Sequence, residues 1–324
     1  MSLMERTEQA LARHFDAACG HGAPPRLVQA MRHAVFSGGA RIRPQLCMAV
    51  AVACGDDQPE LTDAAAVALE LMHCASLVHD DMPAFDDADT RRGRPTVHKA
   101  FSEPLALLAG DGLIVMAYRV LLQGLGQGQG SGQGTAAEHQ RLALLMDNLT
   151  RGVGLPLGIV AGQAWECESA ADLSQYQRAK TGALFVSATR AGAISSGSDP
   201  TPWAALGEHL GEAYQVADDI RDVMVDAASL GKPAGQDELH ARPSAARSLG
   251  LEGAIAHFQG LIERASSAIP ACAARDLLRQ LVQREAERLV PPALCEQARE
   301  QARHRHAQVQ AAREAGVPLR LVMP

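Results

Sequence analysis

The amino-acid sequence predicts an all-α fold. Alanine and leucine are the most abundant residue types, and aromatic residues make up only 3% of the 324 residues. Alanine and leucine lose little conformational freedom in a helix, so this composition favours helices over sheets. Long segments place apolar residues at helical spacing, and no segment stands out with the apolar–polar alternation of a strand.

Three segments carry the clearest helical pattern. Residues 61–79 have apolar residues at helical spacing, and Thr62 or Asp63 is a candidate N-cap. Residues 172–195 begin with an aspartate that can cap a helix, and residues 200–226 open with Pro-Thr-Pro before a long helical pattern. We therefore expect helix to follow helix along the chain.

One segment, QGLGQGQGSGQG at residues 123–134, is rich in glycine and glutamine. Such segments form flexible loops, and helical patterning of the same character resumes after it. We therefore interpret it as a surface loop within one domain that covers residues 1–324, rather than as a domain boundary. Met4 is a candidate native start, in which case residues 1–3 derive from a cloning vector.

Charge, hydropathy and cysteine content argue against several classes of protein. The net charge of −7 argues against nucleic-acid binding, which needs a basic face, but not against small anionic substrates. The sequence has no run of roughly 18 uncharged apolar residues, so we expect no membrane span. The seven cysteines are scattered, odd in number and without a CxxC pair, which predicts buried free thiols in a cytoplasmic protein.

The first of two acidic clusters is HDDMPAFDDADTRRGRP at residues 79–95, directly after an apolar helical segment. Carboxylates crowded this closely repel one another unless cations compensate their charge. Taken alone, the cluster is as consistent with a solvated acidic helix end as with a ligand site. Its five aspartates fall within ten residues: Asp80, Asp81, Asp86, Asp87 and Asp89.

The second acidic cluster is QVADDIRDV at residues 215–223. On a helix, Gln215, Asp218 and Asp222 line one face, with Asp219 beside it, among apolar neighbours. Carboxylates on a largely apolar helix are costly unless they bind something. Mg²⁺ prefers oxygen ligands and commonly bridges one or two carboxylates to substrate phosphates. Two such clusters facing each other predict a site that holds several Mg²⁺ ions around a diphosphate.

Basic side chains complete this predicted site. Arg91 and Arg92 follow the first cluster, and an arginine fork matches phosphate oxygens bidentately. Arg43 lies in SGGARIRP, where the glycines allow close backbone approach, and His73 precedes Asp80 by two helical turns and shares its face. Further candidate phosphate donors are Lys180, Thr181 and Lys232, although such lysines alone are as consistent with solvated surface charges.

At these motifs the chain resembles the trans-isoprenyl diphosphate synthases, the family of the farnesyl and geranylgeranyl diphosphate synthases. The resemblance covers nearly the whole chain and rests on GGARIRP near residue 40, ALELMHCASLVHDDMPAFDDADTRRGRPTVHKAF from 68, LAGDGLIVMAY from 108, AKTGALF from 179 and YQVADDIRDV from 214. GGARIRP and LGKPAGQDELHARPSA, residues 230–245, are most similar to the geranylgeranyl diphosphate synthases of bacterial carotenoid and bacteriochlorophyll pathways.

The resemblance implies an all-α domain of the isoprenoid synthase type, with long helices around a deep apolar cavity, and a homodimer. It implies a Mg²⁺-dependent prenyltransferase with several ions per active site. Its substrates would be isopentenyl diphosphate and an allylic diphosphate, namely dimethylallyl, geranyl or farnesyl diphosphate. The implied product is geranylgeranyl diphosphate, with farnesyl diphosphate as the alternative.

The resemblance also implies roles for individual residues. The main metal ligands would be Asp80, Asp86 and Asp218, supported by Asp81, Asp219 and Asp222. The ligands of the allylic substrate would be Arg91, Lys180, Thr181, Gln215 and Lys232. The ligands of isopentenyl diphosphate would be Arg43, His73 and Arg92.

The chain departs from the family pattern in two places. The lysine of the family's GGKR is Ala40 here, so one expected contact to isopentenyl diphosphate is missing. The family's Lys-Ser-Thr-Tyr segment is replaced by Arg-Pro-Ser-Ala at residues 242–245. Two other functions remain open from the residues. A terpene cyclase needs no second diphosphate site, so Arg43, His73 and Arg92 argue against it. A non-catalytic partner subunit could lose its carboxylates, whereas both acidic clusters are intact here.

Product length is predicted from the helix before the first cluster. Ala75 is five residues before Asp80, where otherwise similar farnesyl synthases usually carry an aromatic residue. One helical turn rises about 5.4 Å, close to one isoprene unit, so small residues at Ala75 and Ser76 predict growth beyond fifteen carbons. Met72, about one turn further down, is a candidate to stop growth near twenty carbons.

Overall fold

The computed structural model describes residues 1–125, 135–168, 176, 178–224 and 245–296, and it confirms the all-α fold. Thr90–Arg91 and Arg94–Pro95 pair as a short antiparallel hairpin, β1 and β2. The helices are α1 (Leu3–Cys19), α2 (Pro25–Val35), α3 (Ile42–Ala53), α4 (Pro59–Asp80), α5 (Val97–Ala100), α6 (Glu103–Gln123), α7 (Ala136–Val153), α8 (Ile159–Ala164), α9 (Ala183–Ser195), α10 (Ala204–Met224), α11 (Ala245–Ser267) and α12 (Arg275–Leu289).

Helix α4 lies at the centre of the core and packs against α3, α6 and α9. It confirms the helix predicted at residues 61–79, and every residue from Leu61 to Met72 is buried. The predicted N-cap is wrong, because the helix begins earlier, at Pro59, whose missing N–H is no loss at the first helical position. The hydroxyl of Thr62 instead donates to Asp56 at 2.7 Å.

The other two predicted helices are found in part. Residues 178–182 form a π-helical turn that continues directly into α9, whereas the predicted start of this helix falls in 169–175, outside the described residues. Helix α10 follows a short 3₁₀ turn at Thr201–Trp203, and the structure describes it as far as Met224. The helices α9 and α10 pack against each other, which brings the 178–182 turn beside α10.

Helices α4 and α6 are long and apolar enough to cross a membrane by length and composition alone. In α4, 83% of the most apolar stretch is buried inside the protein, as expected of a core helix, whereas in α6 only 44% is buried. Helix α6 therefore presents an apolar face outward. The glycine-rich loop predicted after it joins α6 to α7, and residues 126–134 of that loop lie outside the described part of the chain.

The seven cysteines are all free, as predicted. Only Cys47 and Cys74 are buried, however, and Cys167 is exposed. Burial raises the pKa of the Cys74 thiol to about 12, so that this thiol is protonated at neutral pH. A single domain over residues 1–324 stays a prediction.

Candidate active site

A cavity of about 750 Å³ lies among α3, α4, α8, α10 and α12, and both predicted acidic clusters contribute to its wall. The acidic residues of the wall are Glu70, Asp80, Asp86, Asp218 and Asp222. The basic residues are Arg41, Arg43, His73, Arg91, Arg92, Lys180, Arg221 and Arg288. The cavity therefore combines carboxylates from α4, from the turn after it and from α10 with a larger number of cationic or histidine side chains.

The first cluster lies where α4 ends and the chain folds back. Asp80 is the last residue of α4, and the N–H of Asp86 donates to its carbonyl oxygen at 3.0 Å. This bond brings Asp86 into the wall of the same cavity. Two other aspartates of the motif are engaged elsewhere, because Lys99 pairs with Asp87 at 3.4 Å and with Asp89 at 2.9 Å.

Asp81 is buried and forms an ion pair with the partly buried Arg91. The guanidinium of Arg91, on strand β1, reaches Asp81 at 2.6 Å and Asp80 at 3.7 Å. Burial raises the pKa of Asp81 even though Arg91 lies beside it. Asp81 does not contribute to the wall of the large cavity. Its position supports a role in orienting Arg91.

Asp80 is held by two side chains from other parts of the chain. Its Oδ1 accepts a hydrogen bond from Gln163 Nε2 at 2.9 Å and one from Lys180 Nζ at 3.3 Å. Burial alone would raise the pKa of Asp80, but Lys180 and Arg91 outweigh it and lower the pKa below its ordinary value. Asp80 is therefore ionised at neutral pH.

Glu166, which the sequence did not single out, is the main partner of Lys180. Its Oε1 lies 2.6 Å from Lys180 Nζ and also accepts the hydroxyl of Tyr176 at 2.6 Å. Its Oε2 accepts from Gln163 at 3.1 Å, so that Gln163 links Glu166 to Asp80. The ammonium group thus lies between two carboxylates, those of Asp80 and Glu166.

Two glycines allow the turn that carries Lys180 to lie deep between helices. A Cβ atom on Gly162 of α8 would come within 2.2 Å of the Lys180 backbone nitrogen. A Cβ on Gly211 of α10 would come within 2.6 Å of the Cα atom of Gly182. Both contacts are far shorter than van der Waals distances, so side chains here would push the turn outward. The π-helical turn is a geometry found often at functional sites.

The second cluster lies on α10, as its spacing predicts. Asp218 and Asp222 contribute to the cavity wall together with Gln215, whereas Asp219 is buried behind them. Gln215 connects the cluster to the opposite turn, because it accepts the hydroxyl of Thr181 at 3.2 Å and donates to Asp219 at 3.1 Å. Asp218 forms an ion pair with Arg221, a residue that the acidic pattern of the sequence does not single out.

The three residues predicted to bind a second diphosphate are brought together on another part of the wall. Arg43 is buried with its guanidinium 4.6 Å from the centre of the Phe185 ring. His73 lies nearby on α4, where burial and the positive charge of Arg43 and Arg92 shift its pKa well below the ordinary value. His73 is therefore neutral at physiological pH. The exposed guanidinium of Arg92 donates to the Gly38 carbonyl.

The predicted product-length residues are separated in the structure. Ser76 contributes to the cavity wall, and its hydroxyl donates to the His73 carbonyl at 2.8 Å. Ala75 and Met72 are buried in the core and do not reach this wall. Lys232, predicted to bind the allylic substrate, lies outside the described residues.

The side chains of the two clusters suit Mg²⁺. Mg²⁺ takes oxygen ligands, keeps several waters, and is usually held by one or two carboxylates together with substrate phosphates. Among residues 1–125, 135–168, 176, 178–224 and 245–296, no three His, Cys, Asp or Glu side chains converge closely enough to hold a metal by themselves. Separate carboxylates on facing walls match an ion that a phosphate group helps to bind.

Comparison with known proteins gives a consistent result. The family model described as polyprenyl synthetase matches residues 24–269. A geranylgeranyl diphosphate synthase from Cereibacter sphaeroides is 53% identical, with 90% of this chain and 98% of the relative covered. One from Rhodobacter capsulatus is 48% identical, with 90% of this chain and 97% of the relative covered.

A solved structure of a similar protein agrees with these matches. It is a geranyltransferase from Helicobacter pylori, complexed with magnesium and isoprenyl diphosphate. It superposes with a TM-score of 0.71 at 26% sequence identity, covering 88% of this chain and 97% of the other.

Proposed function

The chain belongs to the polyprenyl synthetase family of prenyltransferases, and we propose that it condenses isopentenyl diphosphate with an allylic diphosphate to make mainly geranylgeranyl diphosphate. The observation that carries this proposal is the cavity that both acidic clusters line together with an excess of basic side chains. The cavity has carboxylates for metal ions and enough separate basic groups for two diphosphates.

Metal binding is assigned to the carboxylates of the cavity wall. Asp80, Asp86 and Asp218 would hold several Mg²⁺ ions, with Asp222 beside them. The buried Asp81 and Asp219 would act indirectly, the first through Arg91 and the second through Gln215. When bound, Mg²⁺ supplies positive charge at the diphosphate oxygens on which negative charge develops.

The two diphosphates are assigned to different residues of the wall. Arg91 and Lys180, which pair with Asp80, would bind the allylic diphosphate. Thr181, Gln215 and Lys232 would bind it with them, and the Thr181 hydroxyl donates to Gln215. Arg43, His73 and Arg92 would bind isopentenyl diphosphate, with His73 as a neutral hydrogen-bonding group. Arg43 supports this assignment, because its buried Nε has no hydrogen-bond partner among the described residues.

The reaction follows from this arrangement. The bond between the allylic carbon and its diphosphate breaks, and the electron pair leaves with the diphosphate, which Lys180 and Arg91 stabilise electrostatically. The double bond of isopentenyl diphosphate attacks the allylic carbon, and the released diphosphate takes the proton that is then lost. Water must be kept out because it would trap the allylic cation.

The product assignment rests on the relatives and on two small residues. Both relatives of about half identity are geranylgeranyl diphosphate synthases. Ser76 contributes to the cavity wall and Ala75 precedes it on α4, and both side chains are small where an aromatic residue would be bulky. The test is to incubate the purified protein with Mg²⁺, isopentenyl diphosphate and each of dimethylallyl, geranyl and farnesyl diphosphate. We expect a twenty-carbon product from all three, whereas a product that stops at fifteen carbons contradicts the assignment.

We also propose a homodimer formed through the exposed face of α6. Leu108, Val115 and Leu122 are 51%, 67% and 54% exposed, and they follow one another at intervals of seven residues. This is the spacing of an apolar seam between paired helices. A second copy of α6 would cover it. The exposed Asp111 and Arg119 on the same helix would be costly inside a membrane.

The proposed location is the cytoplasm. All seven cysteines are free, including the exposed Cys167, which suits a reducing compartment.

A further inference from the structure

Three carboxylates of the site form ion pairs with basic side chains of the protein. Lys180 lies 3.3 Å from Asp80, and Arg91 lies 2.6 Å from Asp81. The third pair joins Arg221 to Asp218 on α10. Lys180 and Arg91 already have a place in the proposed function as ligands of the allylic diphosphate. Arg221 has no role in the proposed function, although it lies within the second cluster and contributes to the cavity wall.

Arg221 is incompletely satisfied where it lies. Its side chain is 30% exposed and that of Asp218 is 43% exposed, so the pair is accessible from the cavity. The Nε of Arg221 is buried without a hydrogen-bond partner among the described residues. A guanidinium has five N–H donors, and one carboxylate satisfies only some of them. A planar anion with several oxygens, such as a phosphate, would satisfy more.

We propose that Arg221 makes metal binding at the second acidic cluster dependent on a diphosphate. The inference rests on the proposed function, since it concerns the same site. A divalent cation arriving alone must displace the guanidinium from Asp218 and is then repelled by it. A cation arriving with a diphosphate meets no such penalty, because the displaced guanidinium pairs with the phosphate oxygens. Arg221 thereby favours loading of Asp218 by the metal–diphosphate complex over loading by the metal.

The test compares Mn²⁺ binding by the wild type and by Arg221→Gln, with and without inorganic pyrophosphate. Binding is measured by calorimetry and by electron paramagnetic resonance of free Mn²⁺. We expect Arg221→Gln to bind Mn²⁺ alone at least about fivefold more tightly, the lower end of typical coupling between two ligands. We expect pyrophosphate to strengthen Mn²⁺ binding at least about fivefold less in this variant than in the wild type.

Matched variants identify the site and the cause. Arg151→Gln removes an arginine from an exposed pair with Asp147 on α7, and its Mn²⁺ binding should equal that of the wild type. The double variant Asp218→Asn, Arg221→Gln should lose the tighter binding of Mn²⁺ alone. Arg221→Lys keeps the charge without the planar fork, so its coupling should lie between those of the wild type and Arg221→Gln.

The outcomes separate this inference from the proposed function. Equal Mn²⁺ affinities for the wild type and Arg221→Gln, or an unchanged effect of pyrophosphate, overturn the role of Arg221 while leaving the enzyme assignment intact. A wild type that binds no Mn²⁺ even with pyrophosphate contradicts the proposed metal–diphosphate site itself. A gain in Mn²⁺ affinity by Arg221→Lys equal to that of Arg221→Gln also overturns the inference. Thermal unfolding without added metal verifies that each variant is folded.

Discussion

Replacing Asp80 by asparagine should separate the stability of the site from its activity. Asp80 lies 3.3 Å from Lys180 Nζ and 3.7 Å from Arg91 Nη2. At an effective dielectric constant of about 20, each pair corresponds to roughly 4–5 kcal/mol of Coulomb attraction. The desolvation of three partly buried charges and the repulsion from neighbouring carboxylates offset most of this.

The loss of stability should therefore be small, because neither cation is left alone. Lys180 keeps Glu166 at 2.6 Å, and Arg91 keeps Asp81 at 2.6 Å. The amide oxygen of asparagine can still accept from Gln163 and Lys180. We expect the free energy of unfolding, measured by urea denaturation without added metal, to fall by about 1–2 kcal/mol. A loss of about 3–5 kcal/mol would be typical of a variant that leaves a buried charge unpaired.

The effect on activity should be much larger. The amide is a poor ligand for Mg²⁺, so the diphosphate would leave without one of its main stabilising charges. We expect the rate of isopentenyl diphosphate incorporation to fall by at least about 100-fold, as for the loss of an important electrostatic group. Mg²⁺ plus inorganic pyrophosphate should raise the melting temperature of the wild type, and raise it less in the variant.

Asp147→Asn is the matched control, since it removes an aspartate from the exposed pair with Arg151. It should change neither the rate nor the melting-temperature shift. The reasoning is refuted if Asp80→Asn elongates within about tenfold of the wild type, or if its stabilisation by Mg²⁺ and pyrophosphate equals that of the wild type.

Three further predictions concern other parts of the molecule. Ala75→Tyr should shorten the main product from twenty to fifteen carbons and, because it overpacks the core, lower the unfolding free energy by about 1–3 kcal/mol; product chromatography and denaturation measure both, and an unchanged product contradicts the length assignment. The pKa of His73 is lowered in the folded state, so the unfolded chain binds a proton more readily and the folded protein loses stability as the pH falls below 6.5. His73→Gln should reduce this loss in unfolding free energy by up to about 1.4 kcal/mol per pH unit. Val115→Glu should dissociate the proposed homodimer in sedimentation experiments, whereas the same change at the exposed Leu249, outside α6, should not.

The parts of the site that follow helical periodicity could be predicted from the sequence. Asp218 and Asp222 share a face of α10 because they are four residues apart, and His73 shares a face with Asp80 because seven residues make two turns. Each of these relations depends on one helix alone. The apolar neighbours of the carboxylates then determine which face is turned inward, and the structure places these polar residues on the cavity wall as expected.

The parts that depend on contacts between helices could not be predicted in this way. Glu166 follows a short helix with no marked pattern, and it reaches Lys180 only because Gly162 allows the turn of residues 178–182 to pack closely. Thr62 and Asp63 are good capping residues, so the sequence pattern predicts one of them as the N-cap of α4, whereas the earlier Pro59 determines where the helix begins. Residue spacing reveals neither the close packing of the 178–182 turn nor which of the candidate residues begins α4.

The ion pairs also change how the crowded carboxylates are understood. From sequence, five aspartates within ten residues suggest repulsion that only metal ions relieve. In the structure the protein supplies its own cations, and Lys99 pairs with Asp87 and Asp89 while Arg91 pairs with Asp81. Removing one carboxylate should therefore cost stability rather than relieve repulsion. In the proposed function, metal ions at Asp80 would compete with its pairs to Lys180 and Arg91, and these two basic groups would then bind the diphosphate that arrives with the metal.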